Sequence, residues 1–157
     1  MKKVLLVLAA ALTSLTLAAE ANFGFWMDAP KGNSSTSVKG VSFGLPISNI
    51  KNIKGAQISI FCSFAKDAKG FQGAIGMNKA KEFDAGCQLA AVNFADELDD
   101  SAVQVGAYNQ SRKDGIQVGF VNNCRNSAKV QVGFVNINKN GLFPVMIFVN
   151  FDKDLFD

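Results

Sequence analysis

The 157-residue sequence contains no histidine. Histidine is the commonest general base and the commonest metal ligand in proteins, so most hydrolytic and metal-site chemistries lose their usual residue here. A cysteine or serine nucleophile would also lack its customary base. These absences favour a non-enzymatic protein, and the sequence predicts no catalytic residue, no cofactor and no metal site.

Cysteine is also scarce, with three residues at Cys62, Cys87 and Cys124. An odd number cannot form a complete disulfide framework, and no CxxC spacing indicates a zinc site or a redox motif. Cys87 takes an apolar position of the repeat described below, so we expect it to be buried. Cys124 lies in a polar turn beside Arg125, so we expect it to be exposed.

Charge of either sign is modest, with 16 Lys and Arg against 13 Asp and Glu and a net charge of +3. Removing Lys2 and Lys3 from the 16 leaves 14 positive against 13 negative charges, a net of +1. Such a chain has no electrostatic reason to bind nucleic acid. The acidic run at 96–100 lacks the interleaved glycine of a calcium loop and is interpreted as a solvated turn.

Residues 1–21 have the features of a secretory signal peptide. Lys2 and Lys3 precede an apolar run at 4–12, which is shorter than the ~20 residues of a membrane-spanning helix. Ala19-Glu20-Ala21 fits the cleavage pattern, and cleavage is expected before Glu20 or before Asn22. The chain is therefore expected to be exported to the cell surface, the outer membrane or the periplasm.

A repeat of the form apolar-Gln-apolar-Gly-x-x-Asn runs through the rest of the chain. Its clearest copies begin at Val103, Ile116 and Val130. Degenerate copies extend it upstream to Val41 and downstream to Asn150, which gives about eight units of 13–16 residues. A glycine often stands two places before the Gln, at Gly40, Gly55, Gly70, Gly86 and Gly115.

Each unit alternates with period two and is rich in β-branched residues, as is typical of β-strands, and polar turns separate the units. An all-β fold is predicted. Identical residues in one register favour a β-solenoid, because parallel stacking lets side-chain amides bond along each column. An antiparallel β-meander or an eight-stranded barrel is the alternative. The predicted organisation is a signal peptide at 1–21, a lead-in or cap at 22–39, the β-repeat domain at 40–151 and a tail at 152–157.

The Gln column has two interpretations. One is a hydrogen-bonded ladder that fixes the register, and the other is a flat binding face for a polymer. The candidate residues of that binding face are Gln88, Gln104, Gln117 and Gln131. The Asn positions, such as Asn109 and Asn122, are interpreted as strand ends that turn the chain by bonding to their own backbone.

These units resemble the surface-repeat proteins of anaerobic and host-associated bacteria, which carry tandem Val-Gln-Ile/Val-Gly-Leu/Phe-Ile/Val-Asn units behind a signal peptide. The closing segment 139–151 also resembles the terminal unit of that group. The resemblance covers roughly residues 40–151 and is strongest over 103–151. It implies an exported, surface-associated location, and it carries over no activity and no catalytic residues.

Together, these features predict a non-enzymatic, exported bacterial repeat protein that acts as a structural or interaction module. A surface protein or a polysaccharide is the expected kind of partner, and membrane association stays open. A small outer-membrane β-barrel is the first alternative function, and a polymer-binding or polymer-degrading solenoid is the second.

Overall fold

The computed structural model describes residues 20–27, 29 and 31–155. The predicted signal peptide therefore lies outside the described residues, apart from Glu20 and Ala21. The described chain forms one ten-stranded sheet in sequence order, with a short 3-10 helix at Asn33–Ser35. The strands are β1 (Glu20–Phe25), β2 (Ser37–Leu45), β3 (Ile47–Ser59), β4 (Cys62–Ala74), β5 (Met77–Leu89), β6 (Val92–Leu98), β7 (Ala102–Ser111), β8 (Ile116–Cys124), β9 (Val130–Asn138) and β10 (Val145–Phe151).

Strands β1 to β9 pair in parallel, each with the next, and the repeats stack in register. Gln57 pairs with Gln72, and Gln72 with Gln88, so the sequence repeat and the structural repeat coincide. The chain is therefore a β-solenoid of about seven turns, as the in-register motif predicted. Parallel pairing excludes the antiparallel meander and the eight-stranded barrel, since both need neighbouring strands to run in opposite directions.

The last of the predicted units is not a coil. Strand β10 runs antiparallel to β9, with Val145 opposite Ile137 and Phe151 opposite Val130. The chain doubles back over residues 139–144, where the Asn138 N–H donates to the Pro144 carbonyl (3.0 Å). Pro144 itself has no N–H to give to a ladder. The reversed strand covers the end of the solenoid.

The stack also begins earlier than the first recognised repeat. Strand β1 lies parallel to β2, with Asn22 opposite Ser42 and Gly24 opposite Gly44. Residues 20–25 therefore form the first level of the solenoid. The predicted lead-in at 22–39 contains most of this strand.

Each coil has three sides and one apolar corner, which we name by their residues. The Gln face comprises 41–44, 56–59, 71–74, 87–90, 103–106, 116–119 and 130–133. The Asn face comprises 47–50, 62–65, 77–80, 92–95, 108–111, 121–124 and 135–138. The apolar edge between these two faces comprises 45–46, 60–61, 75–76, 91, 107, 120 and 134. The charged face closes the coil at 51–54, 66–69, 81–85, 96–101, 112–114 and 125–129.

The interior is apolar on one side and polar on the other. An apolar cluster lies under the charged face in the first coils, where Ala68, Phe83 and Leu98 stack in register. Under the Gln face and the part of the Asn face next to the apolar edge, the buried side chains are mainly Gln, Ser and Asn instead, whereas Ile50, Ala80 and Ala95 at the far side of the Asn face join the apolar cluster. The solenoid therefore buries polar columns beneath two of its three sides.

Glycine makes the turn from the charged face to the Gln face. Gly55, Gly70 and Gly86 have φ of 138°, 112° and 146°, which side chains rarely adopt. A Cβ at Gly86 would also collide with the carbonyl oxygen of Gly70 in the coil below. The glycine two places before the Gln thus serves both backbone conformation and close stacking.

Candidate interaction surface

The Gln column is a buried ladder. Each Nε2 donates to the Oε1 of the Gln one coil earlier, as in Gln88 to Gln72 (2.7 Å) and Gln104 to Gln88 (2.8 Å). Gln117 and Gln131 continue the ladder at 2.8 and 2.7 Å. All four predicted binding residues, Gln88, Gln104, Gln117 and Gln131, have 0 % of their surface exposed. The binding-face interpretation is wrong for them, and the ladder interpretation is confirmed.

The Asn positions form a second ladder. Asn93 donates to Asn109 (2.9 Å), Asn109 to Asn122 (2.8 Å) and Asn122 to Asn136 (2.8 Å). The predicted bond to nearby backbone is also present, since Asn136 donates to the Gly133 carbonyl (3.0 Å). The turning role is therefore only part of what these residues do, because their main contacts link neighbouring coils.

The two ladders run in opposite directions. Gln side chains donate toward the N-terminal end of the solenoid, and Asn side chains donate toward its C-terminal end. The amide dipoles of the two columns therefore oppose each other. Each ladder ends on an acceptor with no donor, which is Gln131 Oε1 at one end and Asn78 Oδ1 at the other. Such orphan atoms belong at the ends of a chain of one-way hydrogen bonds.

With the amides inside, the alternating apolar side chains point outward. The Gln face presents two outer columns that hold no polar residue. They are Val41, Ala56, Phe71, Cys87, Val103, Ile116 and Val130 in one column, and Phe43, Ile58, Gly73, Leu89, Val105, Val118 and Val132 in the other. Leu89 is 48 % exposed and Ile58 is 40 % exposed. A continuous apolar surface that extends over seven coils is unusual on a soluble domain and typical of an interaction site.

The apolar edge carries strongly exposed apolar side chains. Ile75 is 72 % and Phe120 is 62 % exposed, and the rings of Phe120 and Phe134 stack with centroids 5.1 Å apart. Leu45, Ile60 and Phe61 continue the row in earlier coils. Trp26 lies beside Leu45 at the start of the solenoid, where the backbone N–H of Trp26 donates to the Leu45 carbonyl. The row is apolar at every level.

The Asn face is apolar next to the edge and mixed farther from it. Its column beside the edge consists of Ile47, Cys62, Met77, Val92, Tyr108, Val121 and Val135. The next outer column consists of Asn49, Phe64, Lys79, Phe94, Gln110, Asn123 and Ile137. Polarity on this face therefore increases with distance from the edge.

Charge is concentrated on the third side. Lys79 is the one charged residue of the 40–138 segment that lies outside the charged face. Lys113 lies 3.9 Å from Glu97 and 3.6 Å from Asp114 in exposed ion pairs. The Ser101 side chain and then its N–H donate to Asp99 and lower the pKa of that carboxyl. No group of acidic or cysteine side chains among the described residues has the arrangement of a metal site.

All three cysteines are free thiols. Cys87 points outward from the Gln face and is half-buried, so the prediction that it is buried is wrong, because the apolar motif positions face outward. Cys124 is fully buried and donates to the Arg112 carbonyl (3.4 Å), so the prediction of an exposed thiol is wrong as well. Burial raises the pKa of Cys87 and is the main cause of the raised pKa of Cys124.

Comparisons with known proteins give no guide to the apolar surface, so it is interpreted from its own geometry. Searches for a family model, a curated protein and a solved structure similar to this chain found no match. Within residues 20–155 as described, no helix has the length and hydrophobicity to span a membrane.

Sequence reasoning missed the apolar exterior. The signal was present, since every motif places its apolar residues opposite the Gln. The missing fact was which of the two sides is inside, and burial of Gln becomes favourable only when every amide has a partner in the next coil.

Proposed function

We propose that this chain is an exported, non-enzymatic β-solenoid that acts as a structural or interaction module at the cell surface or in the periplasm. Its contact surface is the Gln face, the apolar edge and the adjoining column of the Asn face. The observation that carries the proposal is that each coil buries its amide side chains and exposes a continuous apolar surface.

The distribution of ionisable groups supports a non-enzymatic role. The buried polar side chains of the described chain are Asn, Gln and Ser, and the charged groups of the 40–138 segment other than Lys79 lie on the exposed charged face. Enzyme sites usually bring ionisable groups of different kinds together in a cleft that perturbs their pKa values. This molecule instead repeats one residue type along each column, which suits a long, uniform contact surface.

Export is tested with the full chain fused to a reporter that is active only outside the cytoplasm, together with cell fractionation. We expect reporter activity and a processed chain in the envelope or medium. Leu6→Arg, which interrupts the apolar run at 4–12, should abolish export, and Ser14→Arg is the matched control outside that run. Retention of the unmodified chain in the cytoplasm would contradict the proposal.

The interaction surface is tested by retention of the exported chain on washed cell envelopes. Phe134→Glu places a charge on the apolar edge, and Lys66→Glu changes a charge on the opposite side. We expect the first variant to be released and the second to be retained, with equal far-UV circular dichroism. Equal retention of both variants would show that the apolar surface is not the contact surface.

A further inference from the structure

The apolar surface bends around a corner. Residues 60–62 all point outward between the inward-facing Ser59 and Ser63, so the chain turns there from the Gln face to the Asn face. In the later coils the turn is tighter, with Phe120 and Val121 outward between inward Gly119 and Asn122. The apolar edge is therefore a ridge with an apolar flank on each side.

The two flanks are close together inside the molecule. A single amide side chain crosses from one face to the backbone of the other, as Gln57 Nε2 does to the Phe64 carbonyl (2.9 Å). Asn93 crosses in the other direction to the Val105 carbonyl (2.8 Å). The ridge is thus the thin side of a wedge, and the charged face forms its base.

Charge and apolarity are separated across this wedge. The charged face holds all the Lys, Arg, Asp and Glu of the 40–138 segment except Lys79, and the ridge holds none. Lys79 lies in the Asn-face column farther from the ridge. The solenoid therefore has the amphipathic plan of an interfacial helix on a larger scale, with an apolar crest opposite a charged side.

We propose that the apolar edge inserts into a lipid surface that needs no net charge. This deepens the proposed interaction function and rests on it. Interfacial helices bury their apolar side to about 5–10 Å. We expect the ridge and the column nearest to it on each flank to enter the lipid. The charged face then stays in water, and no charged side chain of the 40–138 segment is buried.

The wedge shape favours lipid over a second copy of the chain. A two-fold dimer that packs Gln face against Gln face would leave the ridge and the Asn face in water. Fluid lipid covers both flanks and the ridge at once. Since no cation lies on the ridge, the attraction is apolar and should depend little on salt.

The test uses phosphatidylcholine vesicles and the chain from Glu20 onward, which contains every described strand. Flotation separates bound from free chain, and Trp26, the one tryptophan of the sequence, reports burial of the ridge by its emission. We expect flotation with the vesicles at low and high salt, and a shift of Trp26 emission to shorter wavelength.

Paired variants locate the contact. Phe120→Glu with Phe134→Glu should weaken vesicle binding by about tenfold or more, because both charges would enter lipid. Lys66→Glu with Lys81→Glu on the charged face should leave vesicle binding unchanged. Circular dichroism and the urea midpoint of each pair are compared with those of the parent, so that a folding defect is recognised.

Two results would overturn the lipid proposal in different ways. A dimer or trimer in solution that ignores vesicles and dissociates in the Phe120/Phe134 variant would make a second copy the occupant, and the interaction function would survive. A folded monomer that ignores vesicles, and whose retention on envelopes is unaffected by the same variant, would overturn both proposals.

Discussion

The first and second halves of the solenoid use different interiors under the same Gln ladder. In coils 37–101 an apolar cluster that includes Ile53, Phe83 and Leu98 fills the space under the charged face. In coils 102–138 the cluster contributes Ala102 alone among the described residues. The inward Asn-face column, which holds Ala80 and Ala95 in the first half, continues there as Ser111, Cys124 and Asn138. Spacing between successive Gln residues falls from 15–16 to 13–14 residues at the same point.

The difference shows that the amide ladder, and not the apolar core, is the common element of the fold. Shorter coils have less room for apolar side chains, so the second half depends more on buried hydrogen bonds. Asn138 illustrates this, since it accepts from the Ala128 N–H (3.0 Å) and donates to the Ala128 carbonyl (2.9 Å). The first half should therefore respond most to cavities, and the second half to loss of amides.

The largest effect is expected from Phe83→Ala in the first half. Phe83 is 1 % exposed and is the largest fully buried side chain. Its truncation leaves a cavity, and we expect the free energy of unfolding to fall by about 3–5 kcal/mol in urea titrations. Phe94→Ala, on the outer Asn face, is the control and should cost much less. Equal losses for both would contradict the assignment of the core.

A somewhat smaller effect is expected at the glycine corner. Gly86 and Ala102 are partners in adjacent coils, and only Gly86 has positive φ. Gly86→Ala should cost about 3 kcal/mol through backbone strain and collision with Gly70. Ala102→Gly reverses the exchange and should cost only about 1 kcal/mol. Thermal unfolding of both variants measures the contrast, and a tolerated Gly86→Ala would refute it.

The Gln ladder is tested in the second half by comparing a residue inside the ladder with the residue at its end. Gln117 donates to Gln104 and accepts from Gln131, so Gln117→Leu strands two buried partners and should cost about 2–4 kcal/mol. Gln131 stands at the ladder end, and its Oε1 has no donor. Gln131→Leu should therefore cost about half as much. Chemical denaturation distinguishes the two, and equal costs would mean that the amides act independently.

The smallest effect concerns the charged face. Ser101→Ala removes the side-chain donor to Asp99, so the lowered pKa of Asp99 should move up toward the usual range of a carboxyl, while the Ser101 N–H still holds part of the shift. A lowered carboxyl pKa contributes stability above the unfolded pKa and loses it as the pH falls through the folded pKa. The variant should therefore show a weaker acid dependence. An NMR titration of Asp99 with an unchanged pKa would contradict the contact.

The sequence was sufficient to predict that the coils stack in parallel, but not to predict which side of each strand is buried. Three motifs with Gln117 and its equivalents in one register predicted parallel coils, and the Gln spacings equal the register shifts between strands. A period-two pattern groups residues by side without saying which side is inside. Hydrophobic burial alone would place Val118 inside and Gln117 outside, and the ladder reverses that preference because it satisfies every interior amide but the last.

The two ends were hidden for different local reasons. Strand β10 matches the repeat at Asn150, but it carries a continuous apolar run from Val145 to Val149, and its register with β9 shifts between Met146 and Phe148. A degenerate repeat in the sequence does not say whether the strand runs parallel or antiparallel. At the other end, Asn22-Phe23-Gly24 matches Ser42-Phe43-Gly44 in type, which was the available signal for the first level. Its position beside the predicted cleavage site concealed it.

Hydrogen exchange of the Gln side-chain amides, followed by NMR, tests the inside-out arrangement most directly. If the ladder is buried, the Nε2 protons of Gln72, Gln88, Gln104 and Gln117 should exchange as slowly as backbone amides of the central strands, since they are released only when the coils open. Gln110, which points outward from the Asn face, should exchange at the rate of a solvent-exposed amide. Rapid exchange of all Gln side chains alongside protected backbone amides would contradict the arrangement and return the apolar residues to the interior.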